Sequence, residues 1–238
     1  MPGPETHPAP GLFLAFEGVE GSGKTTQVAM LAQWLRERGM DVVVAREPGG
    51  TEVGERVRGI VLTHDELHVP PRSELFLMLA ARAAFVEQVV LPSVAAGSVV
   101  IADRFELSTL AYQGAGRGLP PDEVALCNRV ATGGTAPDAT VLLDVDAEVG
   151  ARRQSAAGKA RDRVEREAAE FHRTVAAAYR ALAGRVAGIL RVDADAPAEQ
   201  VHARVVDALR ARFPETFPPT GFTSGERPAA GMPGGPVS

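Results

Sequence analysis

Cysteine is nearly missing from this chain: Cys127 stands alone, so no intramolecular disulfide can form, which fits a reducing compartment. No apolar run approaches the roughly 18 residues of a membrane span. The start, Met1-Pro2-Gly3-Pro4-Glu5-Thr6, lacks the basic and apolar stretches of a secretory signal. Basic charge is not in excess either. The net charge is -5 over 238 residues, which excludes a chain-wide polyanion-binding surface and leaves any phosphate chemistry to a local basic site. Neither nucleic acid nor membrane is an expected partner, no internal repeat is visible, and the expected location is cytoplasmic.

What the chain does contain is the balance of an ordinary globular protein, 45% hydrophobic and 23% charged residues. Its length suits one α/β domain with a sizeable core. The two ends differ from the middle. Residues 1–10 carry four prolines, and residues 213–238 carry six prolines and five glycines with almost no apolar periodicity. Such segments cannot bury enough surface to offset their ordering entropy. Flexible tails are therefore expected at 1–10 and 214–238, around a domain spanning 11–213.

Within that domain, Leu12–Phe16, Val42–Ala45, Val99–Ala102, Val141–Val145 and Ile189–Val192 are strand-length apolar runs. Continuous runs of this kind suit strands buried on both faces of a parallel sheet. Helical stripes lie between them: Val28, Leu31, Ala32 and Leu35 before the stop at Gly39, then Val53, Val57, Ile60 and Val61, then Leu75, Leu79 and Val86. Alternation of this kind predicts the α/β class: a doubly wound parallel five-stranded sheet flanked by helices. Ligands then sit at the carboxyl ends of the strands, so the motifs to examine are those that directly follow a strand.

The first strand runs into Gly18-Val19-Glu20-Gly21-Ser22-Gly23-Lys24-Thr25, a full match to G-x-x-x-x-G-K-[ST] ahead of an amphipathic helix. At average residue usage, an accidental match in a chain this long has odds of roughly 1%. Glycines let backbone N–H groups surround a polyphosphate, and the helix N-terminus adds its positive end. Lys24 can reach the β- and γ-phosphates and Thr25 can ligate Mg²⁺. Gly18 to Thr25, with Thr26 beyond, form the expected ATP site. A guanine-reading N-K-x-D element is absent from the sequence, which removes the small GTPase class.

Three further segments follow the later strands: Arg46-Glu47-Pro48-Gly49-Gly50-Thr51, then Asp103-Arg104-Phe105-Glu106-Leu107-Ser108-Thr109-Leu110-Ala111-Tyr112-Gln113-Gly114, then Asp144 to Arg153 leading into Asp162-Arg163-Val164-Glu165. With the phosphate loop, these resemble bacterial thymidylate kinase over nearly the whole span from Leu12 to about Leu209. The resemblance implies a P-loop NTP hydrolase type of fold with a short mobile lid at about 152–166, a homodimer, and transfer of the γ-phosphoryl group of ATP to dTMP with Mg²⁺. An acceptor needs cations that offset its charge and aim its oxygen. Arg104 matches the arginine that grips the acceptor phosphate, and Arg82 the one that contacts thymine, its alternative being a solvated helix face. Arg46, Pro48, Tyr112 and Gln113 match acceptor-side positions, the tyrosine disfavouring a ribose 2′-hydroxyl. Ser108 and Thr109 match base-pocket positions, although either residue type can simply cap a helix. Glu20 matches an acidic residue near the acceptor 3′-hydroxyl. Asp103 is the candidate for Mg²⁺ beside Thr25, or else the partner of an arginine.

The transferring phosphoryl group needs a cation that arrives as the site closes. The variable loop positions Val19, Glu20, Gly21 and Ser22 hold none, whereas Arg152, Arg153, Lys159, Arg161, Arg163 and Arg166 crowd the lid. Arg153 and Arg163 match the family positions best and join Lys24 and Arg104 as catalytic candidates; the bland alternative is a solvated basic loop. Met78 stands where the family usually has a phenylalanine stacked on the base, Ala147 replaces a proline, and the lid is one residue longer. Glu17, Asp144 and Asp146 have no assigned role, His64 and His68 read as loop residues, and Cys127 as a small core residue. The rival readings are a kinase for another pyrimidine monophosphate and a P-loop binder without turnover.

Overall fold

The computed structural model describes residues 11–63, 67–156, 158 and 162–218. Strands β1 (Leu12–Glu17), β2 (Val42–Arg46), β3 (Val99–Asp103), β4 (Ala139–Asp144) and β5 (Ile189–Asp193) form one sheet in the order β2-β3-β1-β4-β5. Every pairing is parallel. Leu14 lies opposite Ile101 on one side and Ala139 on the other. The side chains of β1 alternate as the pleat requires: Leu14 and Phe16 enter one core cluster, Phe13 and Ala15 the cluster on the opposite face. The three inner strands are buried almost throughout, as their apolar runs predict. β2 and β5 are edge strands, so each has a mostly part-exposed pattern despite an equally apolar sequence.

Parallel strands need crossovers, and helices supply them. These are α1 (Lys24–Arg36), α2 (Glu52–Arg58), α3 (Pro71–Phe85), α4 (Leu91–Ala95), α5 (Glu106–Thr109), α6 (Pro121–Thr132), α7 (Ala147–Ala156), α8 (Ala169–Ala183) and α9 (Ala198–Arg212). Val28, Leu31, Ala32 and Leu35 face inward on α1, and Gly39 follows in a left-handed conformation. Thr51 caps α2 by accepting from the Gly54 amide at 2.9 Å. α2 runs on into a π-helical turn over Gly59–Thr63. Only Val57 and Val61 of that expected stripe are buried; Val53 and Ile60 are exposed, because the α-to-π junction leaves them off the packed face. Leu75, Leu79 and Val86 are buried as expected.

α3 continues through a π-helical turn (Val86–Val90) into α4, and Pro71–Ala95 has a mean hydropathy of 1.6, enough in length and composition to cross a membrane. No uninterrupted apolar run of that length lies within it, since Arg72, Glu74, Arg82 and Glu87 break the segment. Its buried face holds Glu74 and Arg82, each committed to a polar partner inside the fold, and Phe85 packs against β1. The C-terminal boundary also shifts. Phe217 is 0% exposed, packs in the main core and stacks on Trp34 with ring centroids 5.7 Å apart. The tail expected from 214 thus includes a core residue: one buried aromatic outweighs the proline content around it.

Candidate active site

β1 has neighbours on both sides, and the segments after β1, β2 and β3 meet at its carboxyl end, the switch point of a doubly wound sheet. A cleft of about 840 Å³ opens there. The phosphate loop forms one wall. Gly23 takes a left-handed conformation where α1 begins, and Gly21, also left-handed, lies so close to the Gly150 carbonyl that a Cβ would clash. The loop is therefore seated against α7. Lys24 is buried, and its Nζ donates to the carbonyls of Gly18 at 3.0 Å and Val19 at 2.9 Å. Burial, then the neighbouring Arg104, pushes the ammonium below its usual range, so an arriving polyphosphate relieves a destabilised charge. Glu20, Gly21, Gly23, Lys24, Thr25 and Thr26 line the cleft; Gly18, Val19 and Ser22 do not.

The opposite wall comes from the segment after β3. Arg104 has φ 79, a left-handed value rare outside glycine. That backbone turn brings its guanidinium back across the loop. Nη1 donates to Gly18 O, Ser108 Oγ and Tyr179 Oη at 3.1–3.2 Å, and Nη2 pairs with Glu20 and reaches Tyr112 Oη at 3.3 Å. Burial raises the Glu20 pKa, but Arg104 and then Lys24 overcome it and hold the carboxyl at about 2. Glu20 is thus a fixed anion between donor and acceptor walls. Thr25 Oγ1 donates to Asp103 Oδ2 at 2.8 Å, which brings the two candidate Mg²⁺ ligands side by side.

Those two groups suit a hard cation. Among the described residues no three His, Cys, Asp or Glu side chains cluster as a metal cage. Mg²⁺ needs none, since it keeps waters and takes one or two protein oxygens plus substrate phosphates. A hydroxyl and a carboxylate beside the phosphate loop fit that habit.

Several expected contacts are placed differently. Arg82 is 1% exposed, does not line the cleft, and spends all five N–H donors on Glu47, Thr109, Asn128 and the Phe105 carbonyl. It is neither a solvated helix residue nor free for a ligand; it braces the β2 and β3 loops from behind the wall. Thr109 sits there with it. Ser108 lines the cleft, but its hydroxyl donates to Glu17 at 2.6 Å rather than capping a helix. Met78 and Gln113 line the cleft as expected, as do Arg46 and Pro48, the latter after a cis Glu47–Pro48 bond. Phe76 is exposed and Phe85 buried on the β1 side, so neither replaces the missing stacking ring.

The lid arginines separate. Arg153 lines the cleft from α7, held by the Ala194 carbonyl at 2.9 Å and Asp195 at 3.3 Å. Arg163 points elsewhere: it donates to the Val61 carbonyl at 2.7 Å and pairs with Glu74. Lys159, Arg161 and His64 lie outside the described residues. Sequence reasoning missed Glu17, a 0% exposed carboxylate that accepts from the Phe105 and Ser108 amides and the Ser108 and Tyr179 hydroxyls. The signal was an acid ending an apolar strand. It also missed Arg58, a cleft cation that reaches the Pro48 carbonyl at 3.1 Å.

A phosphate loop facing an arginine-lined acceptor wall within one cleft defines a P-loop kinase of small phosphorylated substrates. The family model for thymidylate kinase matches residues 16–205. Thymidylate kinase of Pelotomaculum thermopropionicum is 47% identical over 83% of this chain and 92% of its own length, and that of Geotalea uraniireducens 44% over 86% and 99%. A crystal structure of thymidylate kinase from Ehrlichia chaffeensis superimposes with a TM-score of 0.68 at 31% identity, covering 84% of this chain and 99% of that one. The chain belongs to the thymidylate kinase family.

Proposed function

We propose that this chain transfers the γ-phosphoryl group of ATP to dTMP, yielding ADP and dTDP. The observation that carries this is the single cleft in which Lys24 and Thr25 on one wall face Arg104, Tyr112 and Gln113 on the other. An oxygen of the acceptor phosphate attacks the γ-phosphorus in line, and the bond to the β,γ-bridging oxygen breaks as ADP leaves. Positioning and charge stabilisation supply most of the rate. Lys24 and Arg153 offset charge on the moving group, Arg104 grips the acceptor phosphate, and Tyr112, Gln113 and Met78 surround its nucleoside. Arg163 acts from outside the cleft as a lid anchor. Thr25 and Asp103 would hold Mg²⁺, which neutralises charge on the phosphate oxygens when bound.

This reading includes a cytoplasmic homodimer without nucleic-acid or membrane partners. Exposed Phe76 on α3 and Leu126 and Val130 on α6 offer apolar surface for a second copy. A coupled ADP-release assay across dTMP, dUMP, UMP, CMP, AMP and GMP tests the function. Fastest turnover with dTMP is expected; preference for another pyrimidine would trace to Met78, and no turnover with any acceptor would leave only a nucleotide binder.

A further inference from the structure

Glu74, in the first turn of α3, is 1% exposed and no sequence motif singled it out. Three side chains from two segments converge on its carboxylate. Arg117 donates to Oε1 at 3.1 Å and Oε2 at 3.2 Å, Arg163 of the lid pairs with Oε2, and the Gln113 amide nitrogen donates to Oε1 at 2.9 Å. Burial raises its pKa, but the hydrogen bonds from Arg117, Arg163 and Gln113 win and keep it below the usual carboxylate range. An ionised carboxylate only accepts hydrogen bonds. The Gln113 amide therefore has to present its nitrogen to Glu74, which leaves its oxygen for the other side. That oxygen, Oε1, is buried without a hydrogen-bond partner, in a residue that lines the cleft beside Met78 and Tyr112.

A buried carbonyl without a partner is costly and asks for an N–H. Thymine and uracil carry one at N3, whereas cytosine has a bare acceptor there. We propose that Glu74 sets the base selectivity of the acceptor pocket by fixing which end of the Gln113 amide is left for the base. Glu74 is a positioning residue, acting through Gln113, and the inference rests on the acceptor being a pyrimidine nucleotide. The same carboxylate holds Arg163, so lid docking and base reading share one anchor.

Glu74→Gln keeps the shape but replaces one acceptor with a donor. The new amide can donate to Gln113 Oε1, turning the Gln113 nitrogen toward the base and favouring an acceptor at N3. Steady-state kinetics of the full chain with dTMP, dUMP and dCMP read this directly. Weaker pairing of Arg117 and Arg163 slows all three substrates alike and cancels in their ratios. The kcat/KM of dCMP relative to dTMP should rise about tenfold or more in Glu74→Gln, with dUMP tracking dTMP. Parallel loss for all three bases would overturn the proposal and leave Glu74 a structural ion-pair partner. Should Glu74→Gln fail to fold, Gln113→Leu decides: the preference for dTMP over dCMP should shrink about tenfold, and an unchanged preference overturns the proposal. A wild-type chain that turns over AMP or GMP instead of pyrimidines would overturn the assigned function, a different failure from unaltered selectivity in an active dTMP kinase.

Discussion

Arg104→Gln removes the charge that faces Glu20 while keeping a polar side chain of similar reach. In the intact protein Glu20 titrates at about 2 against an ordinary 4.5, with burial opposing the shift and Arg104 the largest favourable cause. A depressed carboxyl pKa stabilises the fold above the unfolded-state value, and that contribution is lost as pH falls from about 4.5 toward 2. At full strength the shift is worth about 3 kcal/mol. The side chains of the pair are 14% and 27% exposed, so screening reduces this to roughly 1–2 kcal/mol. In Arg104→Gln, only Lys24 and the more weakly acting His172 are left to oppose burial, and the Glu20 pKa should rise. Acid unfolding followed by circular dichroism should then begin at higher pH than in the wild type. Separately, losing a charge-assisted contact to the acceptor phosphate should lower kcat/KM for dTMP by roughly 10–10²-fold, with KM for ATP little changed. Superimposable acid-unfolding curves would refute the electrostatic account of Glu20. An unchanged kcat/KM would remove Arg104 from the acceptor site.

Lys24→Ala should lower kcat by roughly 10²-fold or more with the melting temperature preserved, since the loop's glycine turns do not depend on the side chain; an active variant would exclude Lys24 from the chemistry. Phe217→Ala should lower the melting temperature by several degrees. A full cavity would cost about 3–5 kcal/mol, but a segment this near the chain end can rearrange, so the lower part of that range is expected; no change in a thermal melt would mean the Trp34 stack contributes nothing. Met78→Phe should lower KM for dTMP several-fold, about 0.5–1 kcal/mol, by offering a rigid face to the base. A rise in that KM would show the pocket shaped around methionine, whose flexible thioether packs against Val57, Val61 and Leu62.

Local physics wrote the frame of this protein into its sequence. Five apolar runs became five strands because buried parallel strands need apolar faces on both sides, and Gly18 to Thr25 became a phosphate loop because its glycines and lysine act within eight consecutive residues. Arg104 was legible as a cleft residue because it directly follows a strand, whereas Met78, Tyr112 and Gln113 were legible through the family resemblance. What the sequence could not decide was how side chains from distant segments share partners. Arg82 and Arg163 carry the same charge and the same family likeness as Arg104 and Arg153, yet Glu47 and Glu74 claim them, and those carboxylates lie 35 and 89 residues away. Glu17 likewise found its partners only when β1 and β3 came side by side. Phe217 looked like part of a tail until Trp34, far away in the chain, gave it a surface. Pairing a buried charge or an aromatic ring is a contest among all groups within a few ångströms, and only the folded chain sets those distances.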